Sequence, residues 1–488
     1  MKIGLIDTID KAMDGNGPNV AIAALSGYLC ESHHQVGILD LFHSDLKEQE
    51  RFYKKPWDLV GISASSFDFP VGLQVAREIK RRNRVPIVFG GPHTSVARGE
   101  ILKDPLIDYG IYGEGEVPLL SLANLLERER IPGSAKLGEI RGLIFRNGPE
   151  IIVNPPQPRI SDLNILPLPA YHLFPMHRYS EHNISTSRGC PYSCVYCASG
   201  AILGKKWIGK SPEKIVEEIE FLLCKFGKKV IVIVDDSFNL DIERVKRFCR
   251  ILLERKLGIS WLMMAGIRAD RVDLEMLSLM RESGCMELGV GIESANPTVL
   301  NNVEKGETIE DIDNGIRLIK KAGFLVSGSL MIGNPGDTLE TVKESMEYAI
   351  SRGIDRVYVY HALPFPNTKL WEYVENNGRF LNRDYCNYDK HLREPVFETP
   401  EFSRSDRVKA YQMATDLFLS KQGGEATRAS SGGLVPEAVK SYIGTFVDEV
   451  RSQGLRSALK RSVSFLRRRV MPDEAGITTR ISRRKTAE

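Results

Sequence analysis

The chain has 488 residues, of which 42% are hydrophobic, and its formal net charge is +3. This length accommodates two or three domains with buried cores. No apolar stretch approaches the ~20 residues that cross a bilayer, and Asp7 and Asp10 interrupt the N-terminus too early for a signal peptide. We therefore expect a cytoplasmic protein.

Residues 1–130 alternate short apolar runs with amphipathic segments. The predicted strands are 3–6, 36–41, 59–63, 86–90 and 108–112, and the predicted helices are 20–29, 71–80 and 117–126. Strands that alternate with helices form parallel sheets. We therefore expect an α/β fold that begins with a doubly wound, flavodoxin-like parallel sheet.

Small and polar residues follow the third, fourth and fifth predicted strands. They are Ser63, Ser65, Gly90, Gly91, Gly113 and Gly115. Ligands of doubly wound sheets bind beyond the carboxyl ends of the strands, which predicts a binding surface there. The alternative is that each glycine only forms a tight turn.

Residues 131–180 form a predicted connector. A hairpin over residues 141–154 would turn at Asn147 and Gly148, a dipeptide that favours two-residue hairpin turns. Five prolines between positions 155 and 169 then disfavour helices and sheet interiors. We expect this segment to strap the first domain to the next.

Residues 181–385 repeat the alternation with longer helices. The predicted strands are 184–187, 230–234, 261–265, 286–292, 325–332 and 356–361, and the predicted helices are 212–226, 241–255, 272–282, 308–322 and 338–352. This pattern predicts a partial (β/α)6 TIM barrel, and barrel sites lie at the C-terminal ends of the strands.

Three cysteines, Cys190, Cys194 and Cys197, follow the first barrel strand. One loop with this spacing can bind three irons of an iron–sulfur cube, for which thiolates are the usual ligands, and it leaves the fourth iron open for a substrate. Structural zinc usually takes four ligands from two pairs, whereas the other five cysteines are scattered singly. Disulfides are disfavoured in such a chain, and the flanking residues argue against chance spacing.

The cysteine run resembles the signature of the radical S-adenosylmethionine (SAM) enzymes, including Tyr196 before the last cysteine. This resemblance implies a 4Fe-4S cluster on the three cysteines, with SAM chelating the open iron. One electron would then cleave SAM to a 5′-deoxyadenosyl radical. Together with the preceding domain, the chain resembles the subgroup with an N-terminal cobalamin-binding domain, which implies cobalamin contacts at the strand ends.

One departure concerns cobalt. Cobalamin domains that ligate cobalt from below carry Asp-x-His-x-x-Gly, whereas this chain has Asp40-Leu-Phe-His43 without a suitably placed glycine. We therefore expect no protein imidazole on cobalt and a surface or loop position for His43.

Two barrel strand ends carry charged candidates for SAM binding. Asp235 and Asp236 stand where many radical SAM enzymes have Gly-Gly-Glu, and Asp236 is the candidate SAM contact. A helix N-cap is the alternative for one of the two. Arg268, after the third strand, would pair with a carboxylate of SAM or form a structural ion pair.

The last three strand ends match family motifs. Glu293 and Ser294 match the residues that face the ribose and methionine of SAM, and Gly333 belongs to the loop that backs the adenine. His361 follows in a turn near the adenine, or it is a satisfied barrel histidine.

Residues 386–488 form a predicted helical extension with a basic tail. From Arg451 onward there are eleven lysines or arginines and three acids, on a background of leucines and valines at helical spacing. Such a helix can lie on an anionic membrane surface, pack on the barrel or remain a loose tail. Nucleic acid is disfavoured because no stacking aromatics accompany the charge.

The resemblance implies an enzyme that methylates an unactivated carbon of a small-molecule or lipid-like substrate, with cobalamin as methyl carrier and a flavodoxin or ferredoxin as electron donor. Radical cyclisation or ring rearrangement in a tetrapyrrole, lipid or natural-product pathway is the alternative. A non-catalytic iron–sulfur or cobalamin sensor is a third hypothesis.

Overall fold

The computed structural model describes residues 1–8, 17–227, 230–388 and 393–421. Its N-terminal part is a seven-stranded sheet in the order β2-β1-β3-β4-β5-β6-β7, in which β1 to β5 are parallel. The strands are β1 (Lys2–Asp7), β2 (Gln35–Asp40), β3 (Leu59–Ser63), β4 (Ile87–Gly90), β5 (Tyr109–Ile111), β6 (Leu143–Asn147) and β7 (Glu150–Val153). The predicted doubly wound parallel sheet is confirmed.

Helices cover both faces of this sheet. They are α1 (Val20–Glu31), α2 (Leu46–Lys54), α3 (Phe69–Arg82), α4 (Pro92–Ala97), α5 (Glu116–Arg128) and α6 (Ser134–Gly138). Alternate residues of β1 enter different cores: Ile3 and Leu5 pack with α1 and α5, and Ile6 packs with α2 and α3. Helix α2 is absent from the sequence prediction, although Asp45 and Glu48 form a capping box at its start.

The predicted hairpin forms, but it belongs to the sheet. Strand β6 pairs antiparallel with β5, and β7 pairs antiparallel with β6 around the turn at Gly148, whose φ is +60°. The hairpin therefore extends the edge of the parallel sheet.

The rest of the connector contacts both the first sheet and the barrel. It contains three single 3-10 turns, Leu163–Ile165, Tyr171–Leu173 and Met176–Arg178. The amide of Ala170 donates to the Ala23 carbonyl in α1 at 2.9 Å, and the Tyr171 hydroxyl donates to the Asn183 carbonyl in the barrel at 3.0 Å. These bonds fix the connector between the two parts of the molecule, as the predicted strap requires.

The barrel is partial. Two parallel three-stranded sheets, β8-β11-β12 and β13-β14-β15, are joined by bridges between Trp261 and Cys285 and between Ile267 and Val290. These strands are β8 (His182–Ile184), β11 (Val230–Ile233), β12 (Ser260–Met263), β13 (Leu288–Glu293), β14 (Val326–Ile332) and β15 (Arg356–His361). The partial TIM barrel is confirmed.

Helices follow the barrel strands, and short strand pairs flank the site. The helices are α7 (Ser199–Ile202), α8 (Pro212–Phe226), α9 (Ile242–Arg255), α10 (Leu274–Glu282), α11 (Pro297–Asn302), α12 (Ile309–Lys321), α13 (Leu339–Ser351) and α14 (Lys369–Asn377). The short strands are β9 (Ser187–Arg188), β10 (Ile208–Gly209), β16 (Arg379–Phe380) and β17 (Phe397–Glu398). The prediction of one strand over 184–187 is wrong, because β8 ends at Ile184. The Thr186 amide donates a hydrogen bond to the Asp235 carboxylate at 2.6 Å and is not part of the strand.

A last helix, α15 (Arg404–Lys421), packs Ala410 and Ala414 into the core. The predicted basic segment from Arg451 onward lies outside the described residues. Among the described residues, no helix is both long and apolar enough to span a membrane.

A substitution at Gly315 tests how closely α12 packs on the barrel. A Cβ at this position would lie 2.6 Å from the Ala269 carbonyl oxygen, a backbone atom that cannot rotate away. We expect Gly315→Ala to lower the free energy of unfolding by about 1–3 kcal/mol, the usual cost of overpacking, as measured by chemical denaturation.

Gly138→Ala is the matched control, because a Cβ at this helical position meets nothing within 4 Å. It should leave stability unchanged or slightly raised. Equal effects of the two substitutions would contradict the close approach at Gly315.

Candidate active site

The three cysteines lie in the loop that follows β9, here called the cluster loop (residues 189–198). Two backbone bonds anchor it: the Val195 amide donates to the Val303 carbonyl at 3.0 Å, and the Leu370 amide donates to the Val195 carbonyl at 2.8 Å. The loop is thereby held at the C-terminal ends of the barrel strands, where barrel enzymes place their chemistry.

Arg268 holds the cluster loop from the neighbouring strand end. Its guanidinium carbon lies 3.4 Å from the ring centroid of Tyr192, and its Nε and Nη2 donate to the Asp270 carboxylate at 2.8 and 3.0 Å. The side chain also donates to the carbonyls of Lys305 and Gly306. The structure therefore shows the ion pair that the sequence left open, while a contact of Arg268 with SAM stays a prediction.

Tyr196 connects the cluster loop to Glu293. Its hydroxyl donates to Glu293 Oε1 at 3.0 Å, and burial, followed by the nearby Glu293 charge, raises the pKa of Tyr196 well above its usual value. Tyr196 thus remains a hydrogen-bond donor.

The backbone of Glu293 is strained, with φ at +60° beside a bulge in β13. Such conformations persist where surrounding contacts fix them, and they cluster at functional sites. Lys305, which the sequence analysis missed, supplies such contacts: its ammonium donates to the Gly291 carbonyl and lies 2.9 Å from Glu307 and 3.9 Å from Glu293.

The cluster loop offers three cysteine thiols, the ligand type that iron–sulfur clusters use. In the described parts of the chain, no three His, Cys, Asp or Glu side chains meet as ligands of one ion, whereas a cluster places each thiolate on a different iron. Burial, and then the Cys197 sulfur, raises the pKa of Cys194 to about 12, and the positive charge of Lys305 opposes that shift. Cys190, Cys194 and Cys197 are therefore the residues that would hold the cluster.

The two aspartates after β11 have different partners. Buried Asp235 accepts bonds from the Thr186 amide at 2.6 Å and the Ser187 hydroxyl at 2.7 Å, so it shapes the turn before the cluster loop. Asp236 accepts a bond from Ser199, just after Cys197. Asp236 thus lies beside the end of the cluster loop, and its contact with SAM stays a prediction.

Three other predicted residues contact helices that pack around the barrel. Ser294 is buried, with its hydroxyl 3.4 Å from the Ser345 hydroxyl in α13. Gly333 adjoins Arg407, and His361 stacks on Tyr411 with ring centroids 5.2 Å apart. Their roles toward SAM stay predictions.

A cavity with an empty space of about 1540 Å³, counted to its open mouth, lies beyond the carboxyl ends of β3, β4 and β5. Five of the predicted strand-end residues line it: Ser63, Gly90, Gly91, Gly113 and Gly115. The connector lines another side with residues 166–169 and Tyr171, and the barrel contributes Ser187, Arg188 and Asp236.

The cavity wall fits a large cofactor that approaches the backbone. A Cβ on Gly90 or Gly113 would meet one atom each within 4 Å, the carbonyl oxygen of Ile111 at 3.8 Å or that of Ile202 at 3.9 Å. Side chains at these positions would therefore project into the empty space. Leu5, Leu25 and Val88 add apolar side chains to the same wall.

Two predicted residues stand outside this cavity wall. The Ser65 hydroxyl donates to Asp68 at 2.6 Å at the start of α3, and its predicted contact with cobalamin stays untested. His43 lies 3.3 Å from the Asp40 carboxylate, and its ring centroid is 4.4 Å from that of Tyr179. His43 lies in a turn, as predicted, and the expectation that it does not bind cobalt stays untested.

A buried ion network joins the cavity wall to the cluster loop. Arg188, two residues before Cys190, pairs with Glu116 at 2.6 Å and with Glu114 at 3.2 Å, and Arg159 of the connector pairs with Glu114 at 3.1 Å. Burial lowers the pKa of Arg188, but the carboxylates of Glu116 and Glu114 outweigh it, and the net shift is upward. The sequence analysis assigned roles to the glycines of Gly113-Glu-Gly-Glu116 and missed its glutamates, although buried carboxylates after a strand need cationic partners.

Comparisons with known proteins agree with this division of the chain. The model of the radical SAM superfamily matches residues 184–349, and that of the B12 binding domain matches residues 8–123. An uncharacterized methyltransferase of Pyrococcus horikoshii is 32% identical over 433 residues, which cover 86% of this chain and 92% of that protein. The anaerobic magnesium-protoporphyrin IX monomethyl ester cyclase of Rubrivivax gelatinosus is 26% identical and covers 84% and 80% of the two chains.

Two solved structures share the fold. The radical SAM methyltransferase TsrM of Kitasatospora setae, with cobalamin and a 4Fe-4S cluster bound, has a TM-score of 0.70 at 19% identity and covers 85% of this chain and 90% of its own. The cobalamin-dependent radical SAM enzyme OxsB, with aqua-cobalamin and SAM bound, has a TM-score of 0.68 at 18% identity and covers 96% and 75%.

A barrel that carries a three-cysteine cluster loop beside a B12-type cavity defines a radical SAM enzyme with three cofactors: a 4Fe-4S cluster, SAM and cobalamin. The chain belongs to the family of radical SAM proteins with an N-terminal B12-binding domain, together with the Pyrococcus methyltransferase.

Cysteine substitutions test the cluster. Cys190→Ala, Cys194→Ala or Cys197→Ala should abolish the broad visible absorbance of a 4Fe-4S centre and all SAM cleavage, because each removes one iron ligand. Cys224→Ala, at an exposed cysteine of α8, is the control and should spare both. A retained centre in Cys194→Ala protein would refute the assignment.

A double-mutant cycle tests the ion network. Arg188→Gln and Glu116→Gln should each weaken cobalamin binding and lower the unfolding temperature, because each leaves a buried charge with one partner fewer. The double variant should lose less than the sum, with a coupling energy of about 0.5–3 kcal/mol. Strictly additive losses would show that the two side chains do not act together.

Proposed function

We propose that the protein transfers a methyl group from SAM, through cobalamin, to an unactivated carbon of a small-molecule or lipid-like substrate. One observation carries this proposal: a single cavity is lined both by the B12-domain strand ends and by Ser187, Arg188 and Asp236, which flank the cluster loop. This arrangement supports the proposal that two reactive cofactors act on one substrate.

The chain's own residues would hold and orient these groups. When bound, the cluster would supply the electron that cleaves SAM into methionine and the 5′-deoxyadenosyl radical, and cobalamin would supply a methyl carrier. The three cysteines bind iron, Glu293 and Ser294 contact SAM, and the loop at Gly333 backs the adenine in this proposal. Tyr196 donates a hydrogen bond to the carboxylate of strained Glu293. This bond would hold the carboxylate in its SAM-binding orientation before SAM arrives.

Radical cyclisation is the second candidate, since the cyclase of Rubrivivax gelatinosus matches 84% of this chain. A sensor is disfavoured by the family, whose relatives here are enzymes. Electron supply by a flavodoxin or ferredoxin also belongs to the proposal, because the cluster must be reduced. Contact of the basic tail with a membrane surface is proposed from its sequence alone.

Product stoichiometry distinguishes methyl transfer from cyclisation. If methyl transfer is correct, each product should consume two SAM molecules and yield one S-adenosylhomocysteine and one 5′-deoxyadenosine, because the methyl donor and the radical source are separate molecules. Cyclisation would yield 5′-deoxyadenosine without stoichiometric S-adenosylhomocysteine.

Isotopic labelling tests independently whether a methyl group is transferred from SAM to the product. Methyl-deuterated SAM should transfer its label to the product, as detected by mass spectrometry. An unlabelled product formed together with 5′-deoxyadenosine would overturn the methyltransferase proposal and favour cyclisation.

A further inference from the structure

Helix α15 of the C-terminal extension places one buried arginine against the loop that follows β14. Arg407 is only 1% exposed, and its guanidinium carbon lies 4.2 Å from the ring centroid of Phe397 and 4.8 Å from that of Phe402. Its Nε donates to the Phe402 carbonyl at 3.0 Å. A guanidinium at this depth is costly unless a negative charge compensates it.

The largest opposite charge that acts on Arg407 is that of Asp337, which is also 1% exposed, but burial outweighs it and lowers the pKa of Arg407 to about 10. One carboxylate oxygen accepts the amides of Gly333 at 2.9 Å and Asn334 at 3.2 Å, and the other accepts the Thr341 hydroxyl at 2.6 Å. Burial raises the pKa of Asp337 to about 6, and the bonds it accepts and the charge of Arg407 oppose that shift. Arg407 therefore favours the ionised carboxylate that holds two successive backbone amides of the loop.

Gly333 lies directly against the guanidinium of Arg407. Its φ is +98°, and a Cβ built on it would lie 1.9 Å from Arg407 Nη1. A side chain at position 333 is therefore excluded twice, by the backbone conformation and by the guanidinium. A second contact of α15, the stack of His361 on Tyr411 at the end of β15, keeps the helix in register beside this loop.

We infer that Arg407 is a positioning residue for SAM, which packs against Gly333 and thereby holds loop 333–337 in the shape that receives the adenosine part of SAM. This inference rests on the proposed function, in which that loop backs the adenine. It makes the C-terminal extension a part of the SAM site, a role that no sequence motif in the extension indicates.

The test compares Arg407→Met with Arg404→Met in the anaerobic, cluster-reconstituted full chain. Arg404 lies one helical turn earlier and is exposed, and within the described part of the chain its guanidinium pairs with exposed Glu394 at 3.1 Å. The dissociation constant of radiolabelled SAM, and the rate of 5′-deoxyadenosine formation as a function of SAM concentration, should show about a tenfold rise in Kd and KM for Arg407→Met. Cluster absorbance and the rate at saturating SAM should change little, and Arg404→Met should behave as wild type.

Gly333→Ala and the double variant Gly333→Ala/Arg407→Ala supply a second reading. The alanine at 333 should weaken SAM binding strongly beside Arg407 and less strongly when the guanidinium is gone, because the clash is removed while the backbone strain remains. Arg407→Lys, which keeps the charge without the planar fork, should bind SAM more tightly than Arg407→Met.

The possible outcomes separate this inference from the proposed function. A wild-type protein that fails to cleave SAM would overturn both. SAM cleavage with an unchanged KM in Arg407→Met, or strictly additive effects of positions 333 and 407, would overturn the positioning role alone. Loss of SAM binding together with cluster absorbance and the melting transition in both Arg407→Met and Arg407→Lys would assign Arg407 to general stability and also overturn it.

Discussion

The ion pairs of Arg188 with Glu114 and Glu116 are the interaction on which the arrangement of this enzyme depends. The arginine ends β9, which leads into the cluster loop, and the two carboxylates lie after β5 of the B12-binding domain, with Glu116 at the start of α5. A single side chain thus joins the two cofactor sites. Arg159 of the connector forms an ion pair with the same Glu114, so the connector is also held at this point.

Residues before and after Arg188 are also held in place by side-chain contacts. Asp235 takes the amide of Thr186 and the hydroxyl of Ser187, the two residues immediately before Arg188. Arg268 clamps the ring of Tyr192 on the far side of Cys190. Because these groups are buried and paired, the cluster loop has little freedom to rotate away from the cavity, and such preorganisation is what a reaction between two cofactors and one substrate requires.

Local signals made much of the fold predictable. Helix α8 spans Pro212–Phe226 in agreement with the prediction of 212–226, because Ser211 caps it, Pro212 occupies its first turn and Gly227, with φ at +66°, ends it. Strand β15 likewise has the predicted bounds, 356–361. The cysteine spacing predicted the cluster loop because the three cysteines lie close together in the sequence.

Long-range contacts account for what the sequence did not reveal. The hairpin looked like part of the connector because its own turn is local, whereas its pairing with β5 is set by tertiary packing. Glu116 and Arg188 lie 72 positions apart, and Gly333 and Arg407 belong to different segments, so neither contact leaves a local pattern. Asp236 and Arg268 were identified as candidates, but their partners could be seen only once the strand ends were brought together.

The central claim is that one chain holds the iron–sulfur cluster and cobalamin at a shared wall. Electron paramagnetic resonance of the anaerobic protein, loaded with paramagnetic Co(II) cobalamin and then reduced at the cluster, tests this most directly. The account predicts that the reduced cluster broadens the cobalt signal and speeds its relaxation, and that Cys194→Ala protein with the same cobalamin shows neither effect. Two superimposed, unperturbed spectra in the wild-type protein would contradict it.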